Sequence, residues 1–147
     1  MMKYLLSLML AALVAMPAVA QKQPEGVVYD AKFTRLVDGD TVAFRADFLP
    51  APLKPELLLR VYGVDTPEKG WRGKCDKEKA AGDAASAFTK NAIKNSTKHQ
   101  IVLYGWDKFG GRVLGDILLD GQSLRSMLIA NGFAREYYGD AKQSWCD

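Results

Sequence analysis

Histidine is almost absent from the sequence, since His99 is the single one among 147 residues. Chemistry that needs paired histidines, a Ser-His-Asp set or a His-rich metal site is therefore excluded. His99 itself lies in the polar run NSTKHQ, which is typical of a surface segment. The glycine-rich patterns GxxxxGK(S/T) and GxGxxG are also absent, so neither of these nucleotide-binding loops is expected.

The one long apolar run lies at the start of the chain. Lys3 precedes the run from Leu5 to Met16, and the small residues AVA stand before Gln21. This run is shorter than the roughly 20 apolar residues that a transmembrane helix needs. The pattern predicts a cleaved secretory signal peptide over residues 1–20, with a buried N-terminal helix as the alternative. Residues 21–147 would then form one exported domain, in the periplasm or the medium.

Neither sign of charge is in large excess. Lys and Arg number 20 against 17 Asp and Glu, and loss of Lys3 with the signal peptide would leave a net charge of about +2. So small a net charge does not by itself indicate nucleic-acid binding. Composition alone therefore leaves the partner of this protein open.

Cysteine is scarce as well, with Cys75 and Cys146 as the only two. An even count in an oxidising compartment favours a disulfide, which would join the C-terminal QSWCD to the middle of the chain. Two unpaired thiols are the alternative. A metal site built on them is disfavoured, because the sequence has no second Cys/His set to complete it.

The remaining chain predicts five short strands and two helices. GVVYDAKFTRLVDGDTVAFRA is typical of two strands joined at the Asp-Gly turn, and LLLRVYGV, QIVLYGW and RVLGDILL are typical of three more. Between the second and third strands, the proline-rich DFLPAPLKPE predicts a semi-rigid connection.

Helical spacing predicts the two helices. The first extends from Asp76 to about Asn95, and its expected apolar face consists of Ala81, Ala84, Ala85, Phe88 and Ala92. The second is delimited by a cap at Ser123 and a stop at Gly132. The order β-β-β-α-β-β-α predicts an α+β fold, a small five-stranded barrel carrying helices, because a sandwich would need more strands.

Two short acidic motifs, DGDT and DTPE, contain the side chains that are best suited to chemistry. Their polar residues are Asp38, Asp40, Thr41, Asp65, Thr66 and Glu68. Hard oxygen ligands of this kind suit Ca²⁺ or Mg²⁺. Taken singly, however, DGDT is first of all a turn and DTPE a strand exit, so each also has a purely structural interpretation.

Two arginines are also candidate site residues: one precedes the DTPE motif, and the other directly follows two glycines. Arg60 lies among apolar residues of LLLRVYGV, where it is either an outward-facing or ion-paired arginine or a donor fork for a phosphate. Strict alternation would put Arg60 and Asp65 on opposite faces, so a common site requires a bend, which we expect at Gly63. Arg112 follows two glycines, either in an ordinary hairpin loop or close to a ligand.

With DGDT, R-x4-DTPE and DKFGGR in this order, the sequence resembles the thermonuclease family, the staphylococcal-nuclease-like enzymes, and in particular their exported bacterial type. The resemblance extends from about Val27 to Tyr138. It implies a five-stranded OB-type barrel with helices, and an activity that cleaves DNA and RNA with Ca²⁺. We expect a monomer that favours single-stranded substrate and has no stable membrane association.

The resemblance also implies roles for individual residues. The expected calcium ligands are the Asp40 and Asp65 carboxylates and the backbone carbonyl of Thr66. The expected catalytic residues are Arg60 and Arg112 as phosphate clamps and Glu68, which would orient or deprotonate the attacking water. Weaker matches to nucleotide contacts are Lys108, Arg135 and Tyr138.

The sequence also departs from the family pattern. It has one more glycine between Phe109 and Arg112, a longer proline-rich connection, and no counterpart of the family's last helix. We expect the Cys75–Cys146 bridge to take over the anchoring role of that helix. Two alternatives to a nuclease remain: a non-catalytic OB-type module that binds single-stranded nucleic acid, and a disulfide-stapled structural or inhibitor domain.

Overall fold

The structure, a computed structural model, describes residues 23–50 and 56–147. The predicted signal peptide (1–20) and the middle of the proline-rich connection (51–55) lie outside the described residues. In the part of the chain that is described, no helix combines the length and apolar character needed to cross a bilayer.

A mixed β-sheet forms the centre of the described residues. The strands are β1 (Val27–Asp30), β2 (Lys32–Asp38), β3 (Thr41–Arg45), β4 (Glu56–Val61), β5 (Val64–Asp65), β6 (His99–Trp106), β7 (Arg112–Leu119), β8 (Gln122–Ser123) and β9 (Arg135–Glu136). In the main sheet the order is β1-β6-β7-β4-β3-β2, with β8 joined to β7, while β5 and β9 pair separately. Strands β4 and β7 run parallel and the other pairs run antiparallel.

Alternation along β4 decides which of its side chains face the core. Leu59 and Val61 are buried in the core, and Arg60 between them points to the other face of the sheet. Fully buried side chains of the core include Phe44, Leu59, Ile101, Ile117, Leu124 and Leu128. Burial of each contributes about 1.5–3 kcal/mol to stability, and this rigid core supports the polar residues at the end of β4.

Both helices form where the sequence predicts them. Helix α1 spans Asp76–Lys94 and helix α2 spans Leu124–Ala130. The hydroxyl of Ser123 accepts a hydrogen bond from the backbone N–H of Ser126, and Gly132 follows with a positive φ of 75°. The predicted cap and stop of the second helix are therefore confirmed.

The buried face of α1 differs from the predicted one. Its buried residues are Glu78, Gly82, Ala85, Ser86 and Thr89, whereas Ala84 of the predicted face is exposed. Gly82 explains this orientation, because a Cβ there would lie 2.6 Å from the carbonyl oxygen of Glu68. The helix is turned so that its small residue meets the DTPE segment, a contact that periodicity does not reveal.

Two of the five predicted strands are divided in the structure. The first separates at Ala31 into β1 and β2, which pair with different neighbours, and the third separates before Val64 into β4 and β5. The fold class is confirmed: the described residues form an OB-type α+β fold, with one helix after the third predicted strand and another after the fifth.

The predicted disulfide is also present. It joins Cys75 and Cys146, which are 71 positions apart, with a Cα–Cα distance of 6.0 Å. Closing so long a loop stabilises the folded chain by about 4–5 kcal/mol in the chain-entropy account. The bridge fixes the C-terminal residues beside the start of α1.

Candidate active site

A sharp turn at Gly63 brings the two ends of the R-x4-DTPE motif together. Gly63 has a φ of +77°, a conformation that favours glycine. Nη2 of Arg60 donates a hydrogen bond to the carbonyl oxygen of Val64 at 3.1 Å, so the arginine closes the turn from inside. The bend expected between Arg60 and Asp65 therefore lies at the expected glycine.

Asp40 ties the DGDT turn to the DTPE segment. Its Oδ2 accepts hydrogen bonds from the backbone N–H and the hydroxyl of Thr66, at 3.2 and 3.1 Å. Its Oδ1 accepts a third bond from the hydroxyl of Thr41 at 2.9 Å, and Nη2 of Arg60 lies 3.8 Å from Oδ2. The structure thus brings together Arg60, Asp40 and Thr66 in one buried cluster.

Arg112 is oriented by Asp107, a residue that the sequence motifs did not single out. The Nε of Arg112 donates to the Asp107 carboxylate. Burial favours a higher pKa for Asp107, but the hydrogen bonds from Arg112 and the Phe109 backbone, with the nearby charge of Arg60, lower the pKa overall. Asp107 is the first residue of DKFGGR, and this position is the one feature of the sequence that could have indicated that it orients Arg112.

The register of the parallel pair puts both arginines on one face of the sheet. Leu58 lies opposite Arg112, and Arg60 lies opposite Leu114, so Arg60 and Arg112 share a face on neighbouring strands. The extra glycine does not disturb this register, because Gly110 and Gly111 have positive φ values of 70° and 75° and lie in the loop before β7.

Glu68 is the last residue of DTPE and lies beside α1. It is half-buried and lines a cavity of about 230 Å³ together with Asp38, Trp71 and Arg72. Its backbone N–H donates to Glu78 at 3.4 Å, but within the described residues its carboxylate accepts no hydrogen bond. Glu78, which sequence analysis missed, also accepts a bond from the Lys74 N–H at 2.7 Å and so holds this loop.

Asp38 has an unusual protonation equilibrium. Burial, followed by the adjacent charge of Asp40, raises the pKa of Asp38 to about 7. The Nη1 of Arg72 lies 3.7 Å away, with a side chain that is half exposed. The DGDT turn therefore concentrates negative charge in a buried place, which is the setting that a bound cation would stabilise.

Comparison with known protein families identifies the family of this chain. A family model, that of the staphylococcal nuclease homologues, matches residues 58–145, which is more than half of the chain. The chain belongs to this family. The family is one of nucleases, so the arginines and carboxylates described above belong to a nuclease fold.

The matched region of this staphylococcal nuclease homologue begins inside β4. It includes Arg60, Glu68 and Arg112, but Asp40 precedes it. What links Asp40 to the site is geometry: its carboxylate bonds to Thr66 inside the matched region. A tertiary contact therefore joins Asp40, which lies outside the family match, to the candidate site inside it.

Asp65 of the staphylococcal nuclease homologue contacts the C-terminal residues. Nζ of Lys142 lies 2.7 Å from its Oδ1, and the indole Nε1 of Trp145 donates to its Oδ2 at 3.2 Å. The sequence analysis identified neither Lys142 nor Trp145 as a candidate site residue. The one indication in the sequence that this segment lies near DTPE was the neighbouring Cys146, which was predicted to pair with Cys75. Asp65 is buried, and Lys142 and Trp145 contact both oxygens of its carboxylate.

The three weaker sequence matches make different contacts. Lys108 lies in the exposed loop before β7, with its Nζ 5.0 Å from the ring centre of Phe109. Arg135 stacks over Trp145 at 3.8 Å. The hydroxyl of Tyr138 accepts a hydrogen bond from Arg125 at 2.6 Å. Of these, Arg135 is the one beside Asp65, its partner in the β5–β9 pairing.

The donor set suits a hard cation with few protein ligands. Among the described residues, no group of three or more His, Cys, Asp or Glu is placed to hold a metal. Asp40 and Asp65, however, are both buried, with exposures of 5% and 6%, and Thr66, which bonds to Asp40, directly follows Asp65 in the chain. Oxygen donors of this kind match Ca²⁺ in chemistry.

Proposed function

We propose that the protein is an exported, Ca²⁺-dependent nuclease that hydrolyses phosphodiester bonds of DNA and RNA with little sugar specificity. The observation that carries this proposal is the pairing of Arg60 and Arg112 on one sheet face beside the Asp40–Thr66 junction. Phosphodiester hydrolysis builds negative charge on the phosphoryl oxygens, and preorganised cationic donors stabilise that charge more than they stabilise the substrate.

Arg60 and Arg112 are the proposed phosphate clamps. Arg60 directs Nη2 to the Val64 carbonyl and the Asp40 carboxylate, whereas its Nε and Nη1 donate no hydrogen bond within the described residues. Arg112 uses Nε for Asp107, which aims the rest of its guanidinium. Planar donor forks held in this way suit the equatorial oxygens of a phosphate, to which a lysine could offer only a point charge.

Asp40, Asp65 and the Thr66 carbonyl are the proposed calcium ligands. The chemistry supplied there would be Lewis-acid stabilisation of the negatively charged phosphoryl oxygens. With two carboxylates we expect a weak site, with a dissociation constant of about 10⁻⁴–10⁻³ M. Substrate phosphate and water would complete the coordination, so calcium and substrate should bind cooperatively.

Glu68 is the proposed general base. Its carboxylate is half-buried, lines an open cavity and accepts no hydrogen bond within the described residues, so it is available to a water molecule. A carboxylate that takes a proton from the attacking water contributes about 10²–10⁴-fold to the rate.

Export is supported by the disulfide. Cys75 and Cys146 are bonded to each other, and no other cysteine occurs in the sequence. Disulfides persist in oxidising compartments, which agrees with a signal peptide over residues 1–20 and a mature domain over 21–147 in the periplasm or the medium.

A binding module without catalysis is the second candidate. It is favoured by Trp71 and Phe109, whose side chains are 89% and 79% exposed, and by the adjacent cations of Arg72 and Lys108. Exposed rings beside basic groups are typical of platforms on which the bases of single strands stack. We therefore expect single-stranded nucleic acid to be the preferred ligand under either candidate.

The first prediction concerns Glu68→Gln. We expect turnover on single-stranded DNA and RNA to fall about 10²–10⁴-fold, because the variant cannot take the proton. Hydrolysis should be measured at about 5–10 mM Ca²⁺, a range chosen for the weak site, and again with a chelator. Binding to a nuclease-resistant analogue should be unchanged.

The matched control is Glu25→Gln, which removes the same charge from an exposed residue. Cleavage that requires both calcium and Glu68 supports the nuclease. Binding without cleavage in the wild-type protein would favour the binding module. If the wild-type protein showed neither binding nor cleavage, both candidates would be contradicted.

A further inference from the structure

The C-terminal segment 139–147, called the tail below, occupies both oxygens of the Asp65 carboxylate. Lys142 Nζ lies 2.7 Å from Oδ1 and Trp145 Nε1 lies 3.2 Å from Oδ2. The Asp65 side chain is only 8% exposed, while that of Lys142 is 47% exposed. The tail therefore supplies a cation and a neutral donor to one of the carboxylates proposed above as calcium ligands.

Three contacts hold the tail against the nuclease fold. The disulfide fixes Cys146 to Cys75. Nη1 of Arg135 donates to the carbonyl oxygen of Ser144 at 2.8 Å, and its guanidinium stacks on the Trp145 ring. Because these contacts anchor the tail on both sides of Trp145, Lys142 is presented to Asp65 at a high effective concentration.

The two tail side chains act differently on Asp65. An ammonium group at 2.7 Å repels a divalent cation that approaches the same carboxylate, so Lys142 and Ca²⁺ compete. The indole N–H of Trp145 carries no charge and orients the carboxylate without opposing a cation. In this position the Lys142 ammonium also lies 5.5 Å from the ring centre of Tyr137, a cation–π contact that helps to hold it beside Asp65.

We propose that Lys142 is a built-in competitor for the divalent cation at Asp65, that the Cys75–Cys146 bond maintains this competition, and that Trp145 is a positioning residue for the carboxylate. The proposal rests on the proposed function only in placing a divalent cation at Asp65. It follows that calcium binds more weakly while the disulfide holds the tail in place than after reduction.

The test is a calcium titration followed by heteronuclear NMR, which measures weak dissociation constants and locates the site. The amide signal of Thr66 reports the cation, and the indole signal of Trp145 reports the tail. In the oxidised protein, Lys142→Gln should strengthen calcium binding about threefold to tenfold, the effect of removing an ion pair whose acid is buried. The Trp145 indole signal should stay shifted by its hydrogen bond to Asp65.

Lys32→Gln is the charge-matched control. Lys32 is exposed at the first position of β2, at the opposite end of that strand from the DGDT turn, and its replacement should leave the calcium affinity unchanged. Reduction of the disulfide by an added dithiol, which is itself oxidised to a cyclic disulfide, should strengthen calcium binding in the wild-type protein toward the Lys142→Gln value. It should change the calcium affinity of the Lys142→Gln variant much less, because that variant has no ammonium group at Asp65 to release.

Two results would overturn the proposal. Equal affinities in oxidised wild-type and Lys142→Gln proteins would show that Lys142 does not compete. An equal effect of reduction on both proteins would show that the disulfide does not act through Lys142. Calcium-dependent cleavage with either result would leave the proposed function intact, whereas absence of both calcium binding and cleavage in every variant would overturn both proposals.

Discussion

The two arginines of this nuclease fold are held in contrasting ways. Arg60 lies near the end of strand β4, is 13% exposed, and contacts the backbone of a tight turn. Arg112 is 35% exposed, follows a loop with two glycines, and depends on one carboxylate, Asp107. Arg60 is therefore part of the fold as well as of the site, and Arg112 belongs mainly to the site.

The largest effect is expected for Arg60→Lys. Lysine keeps the charge but loses the fork, so the cleavage rate should fall about 10²–10³-fold. The protein should also lose about 1–3 kcal/mol of unfolding free energy, since the Val64 carbonyl and Asp40 lose their guanidinium. Single-turnover kinetics and denaturant unfolding measure the two effects.

Arg45→Lys is its control, because Arg45 is an exposed arginine that pairs with Asp47. Its replacement should change neither the rate nor the stability. An unchanged cleavage rate in Arg60→Lys would make Arg60 a structural residue only.

A smaller effect on rate is expected for Arg112→Lys. We expect cleavage to slow about 10–100-fold, because the clamp loses its fork while the Asp107 ion pair survives. Stability should change by less than about 0.5 kcal/mol, because the half-buried side chain keeps its charge beside Asp107. A loss of stability as large as that of Arg60→Lys would contradict the contrast between the two arginines.

The third comparison sets Gly63→Ala against Gly110→Ala. Both glycines have a positive φ, but a Cβ at Gly63 would lie 2.8 Å from Arg125 Nε and 2.9 Å from the Tyr138 ring, whereas Gly110 has open space around it. We expect about 2–3 kcal/mol of destabilisation at Gly63 and about 1 kcal/mol at Gly110. If thermal or denaturant unfolding showed the same loss of stability in both variants, the positive φ alone would account for it, and the close contacts at Gly63 would contribute nothing.

The last prediction concerns Asp38 and depends on pH. Its pKa is about 7 in the folded protein against an ordinary 3.8, so between about pH 4 and 7 the folded state binds more protons than the unfolded state. Stability should therefore fall as pH rises through this window. In Asp38→Asn the fall should be absent, which unfolding measured at several pH values would detect; an unchanged slope would contradict this assignment.

Several features were predictable because they depend on neighbours along the chain. The cap at Ser123, the stop at Gly132 and the bend at Gly63 follow from residue types with strong local preferences. The Cys75–Cys146 bridge followed from a count of two in an oxidising context. The prediction for the buried face of α1 was wrong at Ala84, which is exposed. The helix orientation depends on the close contact between Gly82 and the DTPE segment, which is a tertiary contact that the sequence pattern does not reveal.

The sequence by itself determined the main strand-forming segments, the two helices and the residue types of the candidate site, because periodicity, turn chemistry and motif order are properties of the chain. Only the tertiary structure decided which of these residues meet. It joined Asp40 to Thr66, oriented Arg112 through Asp107, and brought Lys142 to Asp65. The physical reason is that these contacts connect separate elements, and their geometry is set by sheet register, helix packing and the disulfide.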